Sequence, residues 1–271
     1  MLLVLVLGMR VTGCIESNVF YFPSRESFTN PPGCEDVWIK TPDGKRLHGW
    51  FMRAADAAPG EVRPAVLHCH GNAGNVESHL DFSRFLTHAG MHVFIFDYRG
   101  YGRSDPARML SRDVLLLDSL AAFDVLAARA DVDRKRTGVY GVSLGAVFAL
   151  SVAERHPEVA GVCTVAAFSS WRGVASDHVP IIGTLLIPGG LDPRRIVPTL
   201  GSRPYLIVHG TADEIISIRH GEILEKAAST AGVPVRVARI NGADHNGILN
   251  YQESRNVIAE FFRAVLVTDG P

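Results

Sequence analysis

Three residues of this chain have the types and the order that nucleophilic catalysis needs. Ser143 lies in the stretch GVYGVSLGA, and Asp213 and His245 follow in the stretches VHGTADEI and NGADHNGI. Serine is a weak nucleophile at neutral pH, so it needs a base, a group that orients the base, and donors for the oxyanion. The order serine, aspartate, histidine predicts Ser143 as nucleophile, Asp213 as acid and His245 as base.

The glycines around Ser143 are short-range evidence, and alone they also fit a structural turn. In a nucleophile elbow a strand meets a helix at a sharp turn, and glycines such as Gly141 and Gly145 let the two approach. The stretch HCHGNAGN, after an earlier predicted strand, supplies the loop expected to carry oxyanion donors. We predict that the backbone N–H groups of Asn72 and Leu144 form the oxyanion hole.

Other acids and bases compete for these roles. Asp244 is the rival acid, but it adjoins His245 on one loop and is expected to point elsewhere. Asp97, in FDYRGYGRS, could be mistaken for a catalytic acid, but a structural role is expected for it. Among the histidines, His70 is expected to brace the oxyanion loop by hydrogen bonds, His209 to be structural, and His220 to lie exposed on a helix.

The elements that must position these residues alternate along the chain. Strands are predicted over 36–41, 46–52, 65–70, 92–97, 137–142, 159–165, 205–210 and 235–240, and helices over 76–89, 111–130, 144–156, 217–231 and 249–267. Such alternation is typical of an α/β fold with an open sheet. The candidate residues follow strand ends, where α/β sheets place functional groups. The turn PDGK predicts a hairpin between the first two strands.

Residues 170–198 interrupt the alternation with a Pro- and Gly-rich insertion. We expect it to shape the substrate pocket. Phe168, Trp171 and Ile181 could line an acyl pocket or belong to the core, and the sequence leaves both readings open.

Taken together, the chain resembles the α/β-hydrolases, in particular the ABHD-type serine hydrolases. The stretches YFPS, TPDGKRLHGWF, HCHGNAGN, FDYRGYGRS, GVYGVSLGA, HGTADEIIS and GADHNGI carry the resemblance across about residues 20 to 265. It implies an eight-stranded, mostly parallel sheet with helices on both faces, a short lid-like insertion, a Ser143–Asp213–His245 triad, and hydrolysis of an acyl ester or thioester. A small-molecule or lipid-like acyl substrate is expected, without metal or cofactor.

Composition narrows the alternatives. The chain has 271 residues, a net charge of −1 and no basic stripe, which disfavours nucleic-acid binding. The cysteines show no CxxC or Cys/His metal spacing, and a disulfide framework is not expected. We therefore weigh three functions: an acyl ester or thioester hydrolase, a serine aminopeptidase-type peptidase, and a membrane-tethered binding protein without activity.

The N-terminus suggests export. The stretch MLLVLVLGM is too short to span a membrane but suits a secretory signal, and VTGC resembles a lipobox whose Cys14 receives lipid. No basic residue precedes the apolar run and Arg10 interrupts the approach to the cysteine, so a buried or frayed N-terminal segment is the alternative. We predict a leader over 1–13, a tether over 14–34 and one domain over 35–271. The protein is expected to be a lipoprotein of the cell envelope that faces the periplasm or exterior, and a cytoplasmic location is the alternative.

Overall fold

Eight strands form the main sheet, numbered β1–β8 along the chain. The structure is a computed structural model that describes residues 16–18, 20–26, 28–179 and 187–267. The strands are β1 Cys34–Lys40, β2 Arg46–Met52, β3 Arg63–Cys69, β4 His92–Phe96, β5 Val132–Val142, β6 Val159–Val165, β7 Tyr205–Gly210 and β8 Val235–Ile240. Each overlaps a predicted strand.

The sheet order is β8-β7-β6-β5-β3-β4-β2-β1. Strand β2 runs antiparallel to both its neighbours and every other pairing is parallel, which confirms a mostly parallel sheet. Strands β1 and β2 form the predicted hairpin. The central strands are buried over nearly their whole length because both sheet faces are covered.

The described helices are α1 Val76–His79, α2 Asp81–Arg84, α3 Arg112–Ala127, α4 Leu144–Arg155, α5 Trp171–His178, α6 Pro193–Ile196, α7 Ile218–Thr230 and α8 Gln252–Phe262. Short 3₁₀ turns cover Phe85–Ala89, Val197–Leu200 and Ile248–Asn250, and a π turn covers Arg263–Val267. Side chains of α3, α4 and α7 pack in one apolar cluster, and those of α1 and α8 in another. These clusters cover the two faces of the sheet.

The single helix predicted over 76–89 is wrong in detail. The segment divides into α1, α2 and a 3₁₀ turn. The buried positions of the segment are Val76, Leu80, Ser83, Leu86, Thr87 and Ala89, and this spacing by itself does not separate an α-helix from a 3₁₀ turn.

The segment before β1 packs into the domain more deeply than a surface tether. Glu16, Tyr21 and Phe28 are buried, and Glu16 forms an ion pair with the buried Arg112 at 2.9 Å.

The predicted leader over 1–13 and Cys14 lie outside the described residues, so the lipoprotein stays a prediction. None of the helices in the described ranges combines the length and the hydrophobicity that a membrane span requires.

Residue 145 must be glycine for the strand-to-helix turn to close. A Cβ on Gly145 would lie 1.9 Å from the Cys69 carbonyl oxygen, a backbone atom that cannot move aside cheaply. We expect Gly145→Ala to lower the free energy of unfolding by about 3 kcal/mol or more, at the upper end of overpacking costs. Denaturant unfolding checks this. Gly189→Ala is the control, because a Cβ there meets nothing within 4 Å, and equal losses in both variants would contradict the prediction.

Candidate active site

The turn between β5 and α4 holds Ser143 in a strained conformation. Its φ is 53°, which L-residues rarely adopt, and helix α4 begins at the next residue. A Cβ on Gly141 would lie 2.5 Å from the Gly145 carbonyl oxygen, so both glycines are required by close approach, as predicted. A non-glycine residue kept in this region is a hallmark of functional sites.

The structure brings the three predicted residues together at the carboxyl ends of their strands. The Ser143 Oγ lies 3.0 Å from His245 Nε2, and His245 Nδ1 lies 2.8 Å from Asp213 Oδ2. Asp213 is buried, and its Oδ1 accepts from the N–H groups of Ile215 and Ile216. A carboxylate held in this way can only accept from His245 Nδ1–H, which leaves Nε2 free to accept the serine proton.

The rival acid points away. Asp244 Oδ1 accepts a hydrogen bond from the Gly247 N–H within its own loop. His209 Nε2–H donates to the Ile216 carbonyl at 2.8 Å, which agrees with the structural role predicted for it. Asp97 is fully buried, and its Oδ1 accepts from the Val76 N–H at the start of α1.

The oxyanion loop, defined here as Gly71–Gly74, is held by side chains from three directions. The carbonyls of its first three residues accept, in chain order, from His70 Nδ1 at 2.8 Å, from the Tyr101 hydroxyl at 2.8 Å and from His79 Nε2 at 2.6 Å. Burial holds the pKa of His70 well below its usual value, so the ring stays neutral. The His70 brace is confirmed, whereas the roles of His79 and Tyr101 were missed.

These bonds leave the predicted oxyanion donors available. The Gly71 carbonyl and the Asn72 N–H belong to one trans peptide and point in opposite directions. His70 holds that carbonyl, and no group in the described part of the chain accepts from the Asn72 N–H. Leu144 is the first residue of α4, where N–H groups have no intrahelical partner.

A cleft of about 440 Å³ opens beside Ser143 and His245. The larger apolar residues of its lining are Phe82, Val142, Ile215, Ile248 and Leu249. The polar side chains Ser78 and His79 in the lining are already hydrogen bonded to the carbonyls of Asn75 and Ala73.

The described lining of the cleft comes from outside the predicted insertion. No described residue of 170–198 lines it, but residues 180–186 lie outside the described residues, so the insertion as the segment that shapes the pocket stays a prediction. Phe168 and Trp171 are buried in the apolar core, so they belong to the core and do not line this cleft. Ile181 lies outside the described residues.

The prediction that His220 is exposed is wrong. It is 4% exposed, because its ring lies between Ser169, in the loop after β6, and Asp177 in α5. Its Nδ1 accepts from the Ser169 hydroxyl at 2.8 Å, and its Nε2 lies 3.0 Å from Asp177 Oδ2. This second Ser–His–Asp set is structural, because Ser169 is 2% exposed and therefore closed to a substrate.

Because several histidines are buried, we expect the free energy of unfolding to fall in acid. Burial lowers the pKa of the histidines at positions 68, 70, 79, 92, 209 and 220. The unfolded chain binds protons there below pH ~6.5 while the folded chain does not, so acidification favours unfolding. Each such histidine lowers the free energy of unfolding by at most about 1.4 kcal/mol per pH unit, and only between its pKa in the unfolded chain and its lowered pKa in the folded chain.

Two buried carboxyl groups partly offset this loss of stability in acid, but we expect a net loss to remain. Burial raises the pKa of Asp97, and that of Asp118 to about 6, so the folded chain takes up protons there in acid. Denaturant unfolding at pH 7.5, 6.5 and 5.5 measures the net slope. His68→Gln should lower the net slope by the contribution of one histidine. The exposed control His88→Gln should leave the slope unchanged. A stability that rises from pH 7.5 to 5.5 would contradict the prediction.

The chain is similar to known proteins over most of its length. Residues 60–187 match the family model described as serine aminopeptidase, S33. The chain is 31% identical to the uncharacterized YfhR protein of Salmonella typhi over 256 residues, 90% of this chain and 86% of that protein. It is 28% identical to the α/β hydrolase domain-containing protein WAV2 of Arabidopsis thaliana, over 72% of this chain and 67% of that protein.

The fold has a close counterpart among solved structures. The Pf2001 esterase of Pyrococcus furiosus superposes with a TM-score of 0.76 at 18% identity, covering 92% of this chain and 98% of that one. At this identity the likeness concerns the fold.

Proposed function

Because the chain belongs to the ABHD-type α/β-hydrolases, which are hydrolytic enzymes, we propose that it cleaves an acyl ester or thioester through an acyl-serine intermediate. The observation that carries this proposal is the hydrogen-bonded path from Ser143 through His245 to Asp213, beside an open cleft. A serine linked in this way to a base and a buried carboxylate has what nucleophilic attack requires.

The proposed reaction has two steps. The Ser143 Oγ attacks the acyl carbon while His245 Nε2 takes the hydroxyl proton, and Asp213 stabilises the imidazolium that forms. The N–H groups of Asn72 and Leu144 donate to the oxyanion. The C–O or C–S bond then breaks, and the alcohol or thiol leaves with the proton from His245. Water attacks the acyl-serine in the same way, which releases the acid and restores the serine.

The lining of the cleft favours an uncharged acyl group. An aminopeptidase needs carboxylates to bind the substrate amine, and no Asp or Glu lies among the described residues that line the cleft. The apolar side chains there bury hydrocarbon favourably. This supports an ester or thioester over the peptidase reaction suggested by the name of the matching family model.

A direct comparison of substrates tests the proposal. The purified protein is assayed with p-nitrophenyl esters of increasing acyl length, an acyl thioester and aminoacyl p-nitroanilides. A fluorophosphonate probe is applied in parallel, and the labelled peptide is identified by mass spectrometry. We expect ester or thioester turnover and labelling at Ser143. Turnover of anilides alone would favour the peptidase, and no labelling of folded protein would favour a binding protein without activity.

A further inference from the structure

The YFPS stretch has no role in the reaction described so far, yet it contacts the oxyanion loop directly. We propose that this stretch, Tyr21–Ser24, called the strap below, positions the oxyanion hole by holding Asn72. The inference rests on the proposed function, because it assigns a task to backbone groups of the same site.

The strap pairs with the oxyanion loop as a short parallel ladder. Phe22 pairs with Ala73 and Pro23 with Gly74. The Phe22 N–H donates to Asn72 Oδ1 at 3.1 Å, and the Ser24 N–H donates to the Gly74 carbonyl at 2.9 Å. Backbone donors of the strap therefore hold the Asn72 side chain and the last carbonyl of the loop.

The loop needs such support because glycines begin and end it. Gly74 has a φ of 82°, and glycine has the widest range of backbone conformations of all residues. His70 fixes the peptide before Asn72, and Tyr101 fixes the carbonyl after it. Among the described residues, the bond from the strap is the one that holds the Asn72 side chain, so it completes the orientation of the residue whose N–H faces the oxyanion.

The strap can act as a rigid support because the body of the domain holds both its ends. At one end Tyr21 is buried, and its hydroxyl donates to Glu16 at 2.8 Å, the partner of Arg112. At the other end the Ser24 carbonyl accepts from the Gly102 N–H at 2.8 Å. The Phe22 ring between them is 56% exposed, so the strap acts on the loop through its backbone rather than through the burial of that ring.

A pair of variants at one position separates the backbone donor from the side chain. Phe22→Pro removes the N–H that Asn72 Oδ1 accepts and keeps an extended conformation, whereas Phe22→Ala keeps the N–H. We expect Phe22→Pro to lower kcat about 10- to 100-fold with KM changed less than threefold, as for a misplaced catalytic group. Affinity for a trifluoromethyl ketone, which forms a tetrahedral adduct, should fall by the same factor. Phe22→Ala should lose less than threefold.

A second variant protects the test against misfolding of Phe22→Pro. Asn72→Ala keeps the Asn72 N–H but removes the acceptor, so it should lose kcat by a similar factor. The Phe22 N–H also lies against the Tyr101 hydroxyl, so Phe22→Pro removes more than Asn72→Ala does. Because the bond to Asn72 Oδ1 is lost in both, the double variant should be no worse than Phe22→Pro alone. Additive losses, or equal losses in Phe22→Ala and Phe22→Pro, would overturn the proposal.

Hydrogen exchange separates this inference from the proposed function. Amides of residues 71–77 should exchange faster in Phe22→Pro than in Phe22→Ala, whether or not a substrate is turned over. Unchanged exchange would overturn the support by the strap. Faster exchange with unchanged kcat would overturn its link to the oxyanion hole. An inactive wild-type protein with the expected exchange would instead count against the proposed hydrolase.

Discussion

Ser143→Ala will lower ester hydrolysis by about three to six orders of magnitude and abolish fluorophosphonate labelling, while the fold stays intact. The change removes the Oγ that lies 3.0 Å from His245 Nε2, and no acyl-serine can form without it. Its small volume change leaves the turn between β5 and α4 unaltered, so the melting temperature should shift by only a few degrees. Kinetics with a p-nitrophenyl ester and a thermal melt measure both quantities.

The chain offers a matched control for this variant. Ser169 also hydrogen bonds a histidine that contacts an aspartate, but it is buried away from the cleft. Ser169→Ala should keep hydrolysis within a few-fold of wild type. If Ser143→Ala retained activity while Ser169→Ala lost it, the assignment of the nucleophile would be wrong.

Asp213→Asn has the second-largest expected effect, a fall in kcat of about four orders of magnitude. The carboxylate accepts from His245 Nδ1 at 2.8 Å, and an amide nitrogen in its place would favour the tautomer with the proton on Nε2. That tautomer cannot take the proton from Ser143. The amide oxygen can still accept from the N–H groups of Ile215 and Ile216, so the loop should keep its shape.

Asp244→Asn is the control for this second prediction. Asp244 precedes His245 in the chain but bonds the Gly247 N–H, which an amide oxygen can also accept. We expect its kcat to stay within about threefold of wild type. A larger loss in Asp244→Asn than in Asp213→Asn would reverse the assignment of the acid. Rates are measured with the same ester across pH 6 to 9, so that a shifted pH optimum is not mistaken for a loss.

The described lining of the cleft comes from several segments outside the predicted insertion at 170–198. These segments are the loop and short helices after β3, Val142 and Ser143 at the end of β5, Ile215 in the loop after β7, and the loop after β8. All of them follow strand ends at the edge of the sheet that holds Ser143. An insertion is easy to recognise in a sequence because it interrupts the alternation of strands and helices. The side chains that line a cleft belong to ordinary helices and loops, so no sequence pattern identifies them.

The amino-acid sequence by itself determined the alternation of strands and helices, the hairpin, the elbow at Ser143 and the order of Asp213 and His245. Periodic apolar residues define the elements, and parallel strands bring their carboxyl ends to one edge of a sheet. Only the tertiary structure decided that Asp213 rather than Asp244 contacts His245, that Trp171 and His220 are buried, and that the strap lies on the oxyanion loop. These facts depend on the direction of single side chains and on contacts between segments far apart in the chain, which no local pattern encodes.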